Sequence, residues 1–134
     1  MGQSYGGLFG IYTLLTKPDL FQTYLLGSPS LWFDRRSIWQ FEQAYAGKHK
    51  DMKARVMMYT GSFETVKPGP RYTREFDLTR DMLEFELLLR SRGYPGLSIA
   101  SEVLDDEDHL TMGPRFVTRG LLAALPGFGP YSGE

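Results

Sequence analysis

The chain has 134 residues, a formal net charge of −1 and no cysteine, which suits a single domain and excludes disulfides and thiolate metal sites. Hydrophobic residues make up 42% and charged residues 23%, so we expect a packed core and binding to neither nucleic acid nor membrane. No apolar run approaches the roughly 18 residues of a membrane span. With two histidines in all, we expect no metal site and no cofactor.

The chain opens on a motif that turns a strand sharply into a helix. Residues 2–7 read GQSYGG, which matches the G-x-S-x-G pattern of a nucleophile elbow with one further glycine behind it. Ser4 stands at the apex, where its hydroxyl is exposed. We expect glycine at Gly2 and Gly6 because side chains there would collide with the neighbouring strand and helix. The Tyr5 backbone N–H then lies at a helix start, where it can donate to an oxyanion.

Helices and strands alternate through the rest of the chain, which is the pattern of an α/β fold. Apolar residues at helical spacing predict a first helix over about 5–16, and Pro18 follows its end. Short apolar runs predict buried strands, and longer periodic segments predict helices; the strands cover 23–27, 54–60 and 97–104, and the helices about 34–45, 73–92 and 114–125. The domain therefore covers 1–125, and we expect 126–134 to be a loose C-terminal tail.

Local signals refine two of these helices. Asp34 is a plausible N-cap for the helix over 34–45, and Gly93 is suited to end the helix over 73–92. That longest helix carries two apolar rows side by side: Phe76, Leu83 and Leu87 form one, and Leu78, Met82, Phe85 and Leu89 form the other.

A serine nucleophile needs a base within hydrogen-bonding reach. His109 lies in the turn DDEDH after the last predicted strand, and turns of that kind carry catalytic side chains on a rigid sheet. We expect His49, in the polar run GKHKDMK, to be a solvated surface residue. His109 is therefore the candidate general base.

A third group should orient the imidazole and stabilise its cation. Glu64, in the loop after the strand over 54–60, fits in chain order and in placement. The acidic residues 105–108 are nearer to His109 in sequence, but close neighbours of a histidine seldom reach its far ring nitrogen. Glu64 is our candidate for the acid, and a Ser–His dyad without a dedicated acid is the alternative.

Four blocks of the sequence, GQSYGGLFGIYTLLTKPDLF, SPSLWFD, GSFE and DEDHLTM, resemble an esterase branch of the α/β-hydrolase superfamily. That branch includes the enterochelin (siderophore) esterases, S-formylglutathione hydrolase and feruloyl esterases, and the first two blocks are most similar to the siderophore esterases. The resemblance implies Ser4 as nucleophile, the Tyr5 N–H as one oxyanion donor and His109 as base. Glu64 stands where several relatives carry the triad acid, which is usually an aspartate.

The resemblance also bears on residues around the serine. It implies that Trp32 lies near the active site and lines the substrate pocket; packing of its ring under the loop is an equal alternative. Gln3 replaces a frequent histidine of the elbow, and we expect it to matter little. Arg35 and Arg36 could meet an anionic substrate, but we expect them to face solvent.

The resemblance implies the C-terminal half of an α/β-hydrolase fold: a three-stranded parallel sheet with flanking helices, without the N-terminal strands. The absent part would supply the strand before Ser4 and a second oxyanion N–H. The strand over 23–27 would then present an open apolar edge, and we expect self-association through it. An export signal could also lie in the absent part, so localisation stays open, with the cytoplasm favoured.

Two functions are compatible with these features. The first is a serine hydrolase that cleaves a carboxylic ester, of siderophore type or another, through an acyl-enzyme on Ser4. The alternative is a truncated, catalytically silent half-domain that keeps its packing residues but does not assemble the site.

Overall fold

The computed structural model describes residues 1–125, so the tail expected over 126–134 lies outside the described residues. Within that range the chain forms an α/β fold with one parallel sheet and flanking helices. The strands are β1 (Gly2–Gln3), β2 (Thr23–Gly27), β3 (Ala54–Gly61) and β4 (Leu97–Leu104). The helices are α1 (Tyr5–Thr16), α2 (Phe33–Arg36), α3 (Ile38–Lys48), α4 (Leu78–Ser91) and α5 (Met112–Ala124). No helix of the described range combines the length and apolar character that crossing a bilayer requires.

The sheet has four strands in the order β1-β2-β3-β4, so the prediction of three strands was wrong by one. The additional strand consists of the two residues before Ser4. Gly2 pairs with Leu26, and Gln3 pairs with Gly27. The run was too short to be recognised as a strand from its sequence, and its pairing with β2 makes it one. β2 therefore has a partner on both sides at its carboxyl end.

The helices cover the two faces of the sheet unequally. On one face α1 and α4 pack against the sheet and α3 packs on α1. Together they form the larger core cluster, which includes Ile11, Val56 and Phe85. On the other face α5 supplies Met112 and Phe116, which pack against Leu25, Tyr59 and Leu104. Neighbouring residues of β2 point to opposite faces, as the pleat requires.

Helix α4 is shorter at its start than the periodicity predicted. It begins at Leu78, because the Asp77 side chain accepts a hydrogen bond from the backbone N–H of Arg80 (2.8 Å) and caps the helix. The row made up of Leu78, Met82, Phe85 and Leu89 is buried. In the other row Leu83 is 41% and Leu87 67% exposed, since the helix meets the sheet along one face only.

The helix predicted over 34–45 is broken near its start. Asp34, Arg35 and Arg36 have φ angles of 46°, 52° and 63°, so Asp34 is not an N-cap and the regular helix α3 begins at Ile38. The Arg36 guanidinium lies 3.9 Å from the centre of the Trp39 ring. This side chain therefore packs against the protein and is only partly exposed to solvent, whereas the sequence predicted that it faces solvent.

Candidate active site

The carboxyl ends of the four parallel strands meet at one edge of the sheet, where α/β proteins bind their ligands. Ser4 directly follows β1, and the loop of residues 28–30 follows β2. Glu64 comes three residues after the end of β3, and His109 lies in the turn between β4 and α5. The topology alone therefore brings four chain segments together at this edge.

Ser4 has the strained backbone of a nucleophile elbow. Its φ of 57° and ψ of −120° lie in a region that non-glycine residues rarely adopt. Two hydrogen bonds hold it there: the Ser4 N–H donates to the Gly27 carbonyl (2.8 Å), and the Ser4 carbonyl accepts from the Ser30 N–H (3.2 Å). The loop after β2 thus fixes the turn that presents the Ser4 hydroxyl.

The glycines around the elbow differ in how much space they have. A Cβ added to Gly2 would lie 2.3 Å from the Gly6 carbonyl oxygen, and one added to Gly7 would lie 2.9 Å from the Pro29 Cα. The close approach at Gly2 was expected. A Cβ on Gly6 would meet nothing within 4 Å among residues 1–125, so the collision expected at Gly6 is not found there.

Ser4, His109 and Glu64 form one continuous hydrogen-bonded chain. The Nε2 atom of His109 lies 3.1 Å from the Ser4 Oγ, and its Nδ1 atom lies 2.6 Å from the Glu64 Oε1. Both ring nitrogens are therefore engaged, each with a different partner. The neighbouring Asp108 instead accepts hydrogen bonds from the backbone N–H groups of Leu110 and Thr111, so it shapes the turn and does not reach the far ring nitrogen.

The Glu64 carboxylate is fully buried and accepts hydrogen bonds at both oxygens. Its Oε2 accepts from the Ser28 hydroxyl (2.6 Å) and from the Gly61 backbone N–H (2.7 Å). Together with the His109 contact at Oε1, these donors offset the cost of burying a carboxylate. The arrangement holds the acid in one orientation, with Oε1 directed at the imidazole.

The hydrogen bond with Glu64 raises the pKa of His109 above its usual value of 6.5, and partial burial of the ring opposes this shift. Since Glu64 accepts a hydrogen bond at Oε1, the neutral imidazole carries its hydrogen on Nδ1 and leaves the Nε2 lone pair facing Ser4. The site therefore holds a base whose free lone pair faces a hydroxyl.

Hydrogen bonds from other segments hold the turn that carries His109. The Ser62 and Phe63 N–H groups donate to the Leu104 and Glu107 carbonyls (2.9 and 3.0 Å). The Gln3 side-chain amide donates to the His109 carbonyl (2.9 Å). Gln3 was expected to matter little, but it ties the elbow strand to the histidine turn.

The loop after β2 carries two buried serines that were not predicted as site residues. The Ser28 hydroxyl binds Glu64, and the Ser30 hydroxyl lies 3.3 Å from the Ser4 Oγ. Serines beside proline after a strand are common turn residues, so no local pattern indicates that these two hydroxyls face the acid and the nucleophile.

The Tyr5 backbone N–H is the first of α1, and N–H groups in a helix's first turn have no acceptor within the helix. Nearby, the Trp32 ring stacks face to face on Phe76 (3.8 Å between centroids) and lies 6.0 Å from the Tyr5 ring. The Phe33 ring lies 5.6 Å from Tyr5. We call these four residues the aromatic cluster. Trp32 is half-buried, so it both packs and borders the surface next to Ser4.

The remaining candidates lie away from Ser4. Arg36 forms ion pairs with Asp81 (3.7 Å) and Glu84, whereas Arg35 is exposed. His49 is exposed, and its ring stacks on Tyr45. Among residues 1–125, no three histidine or acidic side chains lie together in a way that could hold a metal ion.

Comparison with known proteins places these features in a class. No protein-family model matches the chain. The chain is 31% identical over 134 residues to the ferri-bacillibactin esterase BesA of Bacillus subtilis, covering 97% of the chain and 43% of that relative. It is 27% identical to the siderophore triacetylfusarinine C esterase of Aspergillus fumigatus, covering 90% of the chain and 46% of the relative.

Solved structures agree with the sequence relatives. The siderophore hydrolase EstB from Aspergillus nidulans superposes with a TM-score of 0.77 at 29% identity, covering 91% of this chain and 46% of that one. The chain thus has part of an α/β-hydrolase fold, and its homologues are siderophore esterases. It spans slightly less than half the length of these relatives.

Proposed function

We propose that this chain carries the catalytic residues of a carboxylic-ester hydrolase that works through an acyl-enzyme on Ser4. The observation that supports this proposal most directly is the unbroken chain of hydrogen bonds from Glu64 through His109 to Ser4. The strained φ of Ser4 and the siderophore-esterase relatives point in the same direction.

The proposed reaction begins when His109 Nε2 takes the Ser4 proton as Oγ bonds to the ester carbonyl carbon. The carbonyl electron pair moves onto oxygen, where the Tyr5 N–H donates a hydrogen bond. The tetrahedral intermediate then collapses and expels the alcohol, which receives its proton from His109. A water molecule repeats the sequence on the acyl-enzyme and releases the acid. Glu64 stabilises the imidazolium that forms in each half.

For the substrate, we propose an ester of siderophore type, since one relative is named as a ferri-bacillibactin esterase and another as a siderophore triacetylfusarinine C esterase. The aromatic cluster offers an apolar wall beside Ser4, and within it Trp32 is our candidate substrate-binding residue. A depression of about 300 Å³ is lined by His109, Phe63, Arg71 and Tyr72, among others. Both surfaces border the place where the ester would lie.

The alternative remains that the chain by itself does not turn over esters. The observation that favours it is length, because the matched relatives are about twice as long. An incomplete site would leave Ser4 poorly reactive even with His109 and Glu64 in place, since the loss of one oxyanion donor lowers rates by about 10²–10³-fold.

A covalent probe separates the two functions. An alkyl fluorophosphonate loses fluoride as Ser4 Oγ bonds to phosphorus, a step that needs an activated serine. We expect mass spectrometry of the labelled chain to locate the phosphonyl group on Ser4, and we expect Ser4→Ala and His109→Ala to abolish labelling. Ser98→Ala, an exposed serine on β4, is the control and should label like the parent. An unlabelled parent chain would favour the silent alternative.

A further inference from the structure

Among residues 1–125, two side chains lie within hydrogen-bonding distance of the Ser4 Oγ: His109 and Ser30. The Ser30 Oγ lies 3.3 Å from the Ser4 Oγ, and the residue is 1% exposed. Its backbone N–H donates to the Ser4 carbonyl (3.2 Å), so the loop and the elbow are tied together at two points. This backbone contact and the burial of the residue restrict where the Ser30 hydroxyl can lie.

The direction of the contact between the two hydroxyls follows from the rest of the relay. A serine hydroxyl has one hydrogen to donate. His109 carries its hydrogen on Nδ1, where it faces Glu64 at 2.6 Å, so the Nε2 lone pair accepts the Ser4 hydrogen. Ser4 then has only lone pairs left to offer, and Ser30 must be the donor in the pair.

That donor has a further use once Ser4 attacks. When Oγ bonds to the carbonyl carbon, its lone pairs become poorer acceptors, while the carbonyl oxygen two bonds away gains a negative charge. The Ser30 hydroxyl needs only to rotate about its Cβ–Oγ bond to change acceptor. A buried hydroxyl beside the point where charge develops is the kind of preorganised donor that stabilises an oxyanion.

We propose that Ser30 is a further catalytic residue, which donates to the Ser4 Oγ in the free enzyme and to the oxyanion in the tetrahedral intermediate, together with the Tyr5 N–H. This inference rests on the proposed function. Ser28, two residues earlier and equally buried, has a different task, because its hydroxyl is bound to the Glu64 Oε2 at 2.6 Å. One short loop thus contacts both ends of the relay.

The test compares Ser30→Thr with Ser30→Val. Both variants add a methyl group at a buried site and have nearly the same shape, but Thr keeps the hydroxyl and Val has a second methyl in its place. Loss of one oxyanion donor lowers rates by about 10²–10³-fold. We therefore expect the second-order rate constant for phosphonylation by an alkyl fluorophosphonate to be about 10²-fold lower in Ser30→Val than in Ser30→Thr. If the Ser30→Thr and Ser30→Val variants do not fold, Ser30→Ala compared with the parent chain tests the same hydroxyl without adding volume.

A second readout separates catalysis from packing. A trifluoromethyl ketone forms a hemiketal on Ser4 whose oxygen is anionic, so its affinity should fall at least about tenfold from Ser30→Thr to Ser30→Val, as expected for a lost hydrogen bond to a charged group. The pH midpoint of phosphonylation should stay the same, because Ser30 does not touch the imidazole. Equal rates and affinities in both variants would overturn the proposed role of Ser30 and leave the proposed function standing. A parent chain that reacts with neither reagent would overturn the proposed function, and this inference with it.

Discussion

Glu64 illustrates how a single carboxylate can set the protonation state of its neighbour. Its Oε2 accepts two donors, from Ser28 and Gly61, and its Oε1 faces the His109 Nδ1. All three groups that face the carboxylate are thus hydrogen-bond donors, and each needs an acceptor. An amide cannot satisfy them, since one of its two ends carries hydrogens.

The change Glu64→Gln tests the triad against the dyad. The amide NH₂ would face either the Ser28 and Gly61 donors or the His109 Nδ1–H, and the latter arrangement favours the wrong imidazole tautomer. We expect the phosphonylation rate to fall by up to about 10⁴-fold, the loss seen when a triad acid is neutralised. The control is Asp105→Asn, an exposed carboxylate near His109 in sequence, which should react like the parent. A loss below about tenfold in Glu64→Gln would favour the dyad.

The raised pKa of His109 predicts where activity is lost in acid. Only the neutral imidazole can accept the Ser4 proton, so activity falls as the pH drops through the pKa of His109. Since the hydrogen bond with Glu64 raises that pKa, the midpoint should lie above the 6.5 of an unperturbed histidine. Glu64→Gln should lower it, because the charge that favours the imidazolium is gone. The pH dependence of the phosphonylation rate measures both, and a parent midpoint at or below the 6.5 of an unperturbed histidine would contradict the expectation.

The residues that the sequence could predict are those with a local signature. Ser4 stands in a spaced glycine motif, and His109 and Glu64 each lie in a turn directly after a strand. Ser28, Ser30 and Gln3 have no such signature, because their contacts depend on which hydroxyl or amide faces another segment 26 to 106 residues away. Spacing along one chain does not contain that information.

At the scale of elements, the end of β3 and the histidine turn lie in close contact. Gly61 ends β3, and a Cβ added to it would lie 2.3 Å from the Glu107 carbonyl oxygen. That oxygen also accepts the Phe63 N–H, so it has little room to retreat. The approach of β3 to this turn is what allows Glu64 to reach His109.

Gly61→Ala should therefore disturb stability and the site together. Inserting a methyl into a filled space typically costs about 1–3 kcal/mol, and here the backbone of the histidine turn must move. We expect a lower urea midpoint and slower phosphonylation. Gly47→Ala is the matched control: a Cβ there meets nothing within 4 Å among residues 1–125, and replacing a helical glycine by alanine should stabilise α3 by roughly 0.5–1 kcal/mol. An unchanged urea midpoint in Gly61→Ala would contradict this account.

Element type was more predictable than element limits. The buried strands were found because each is a short apolar run, and α4 because of its period. The break at Asp34–Arg36 was not predicted. Arg36 forms ion pairs with Asp81 and Glu84, and these pairs join the segment to α4. Contacts between elements, which no local pattern contains, override the helical preference of the segment there.

For the whole molecule, the two edges of the sheet differ. β4 lies at one edge with its full eight residues. At the other, β1 covers only the last two positions of β2. Beside β1 lies a groove of about 220 Å³ whose lining includes Met1, Gly6, Phe9, Phe21 and Tyr24. Met1, Phe9 and Phe21 are more than half exposed, so the groove and the strand edge together form an apolar surface next to unpaired backbone.

We predict that this edge pairs with a second copy of the chain, because open apolar strand edges are templates for such pairing. Light scattering on the 134-residue chain should show dimers or larger species whose fraction rises with concentration. Phe9→Lys places a charge in the groove and should shift the chain towards monomer. Leu87→Lys is the matched control, since Leu87 is 67% and Phe9 66% exposed, but Leu87 lies on α4, which packs against β3 and β4. A parent chain that stays monomeric at all concentrations, or an equal effect of both substitutions, would show that this edge is not the contact surface.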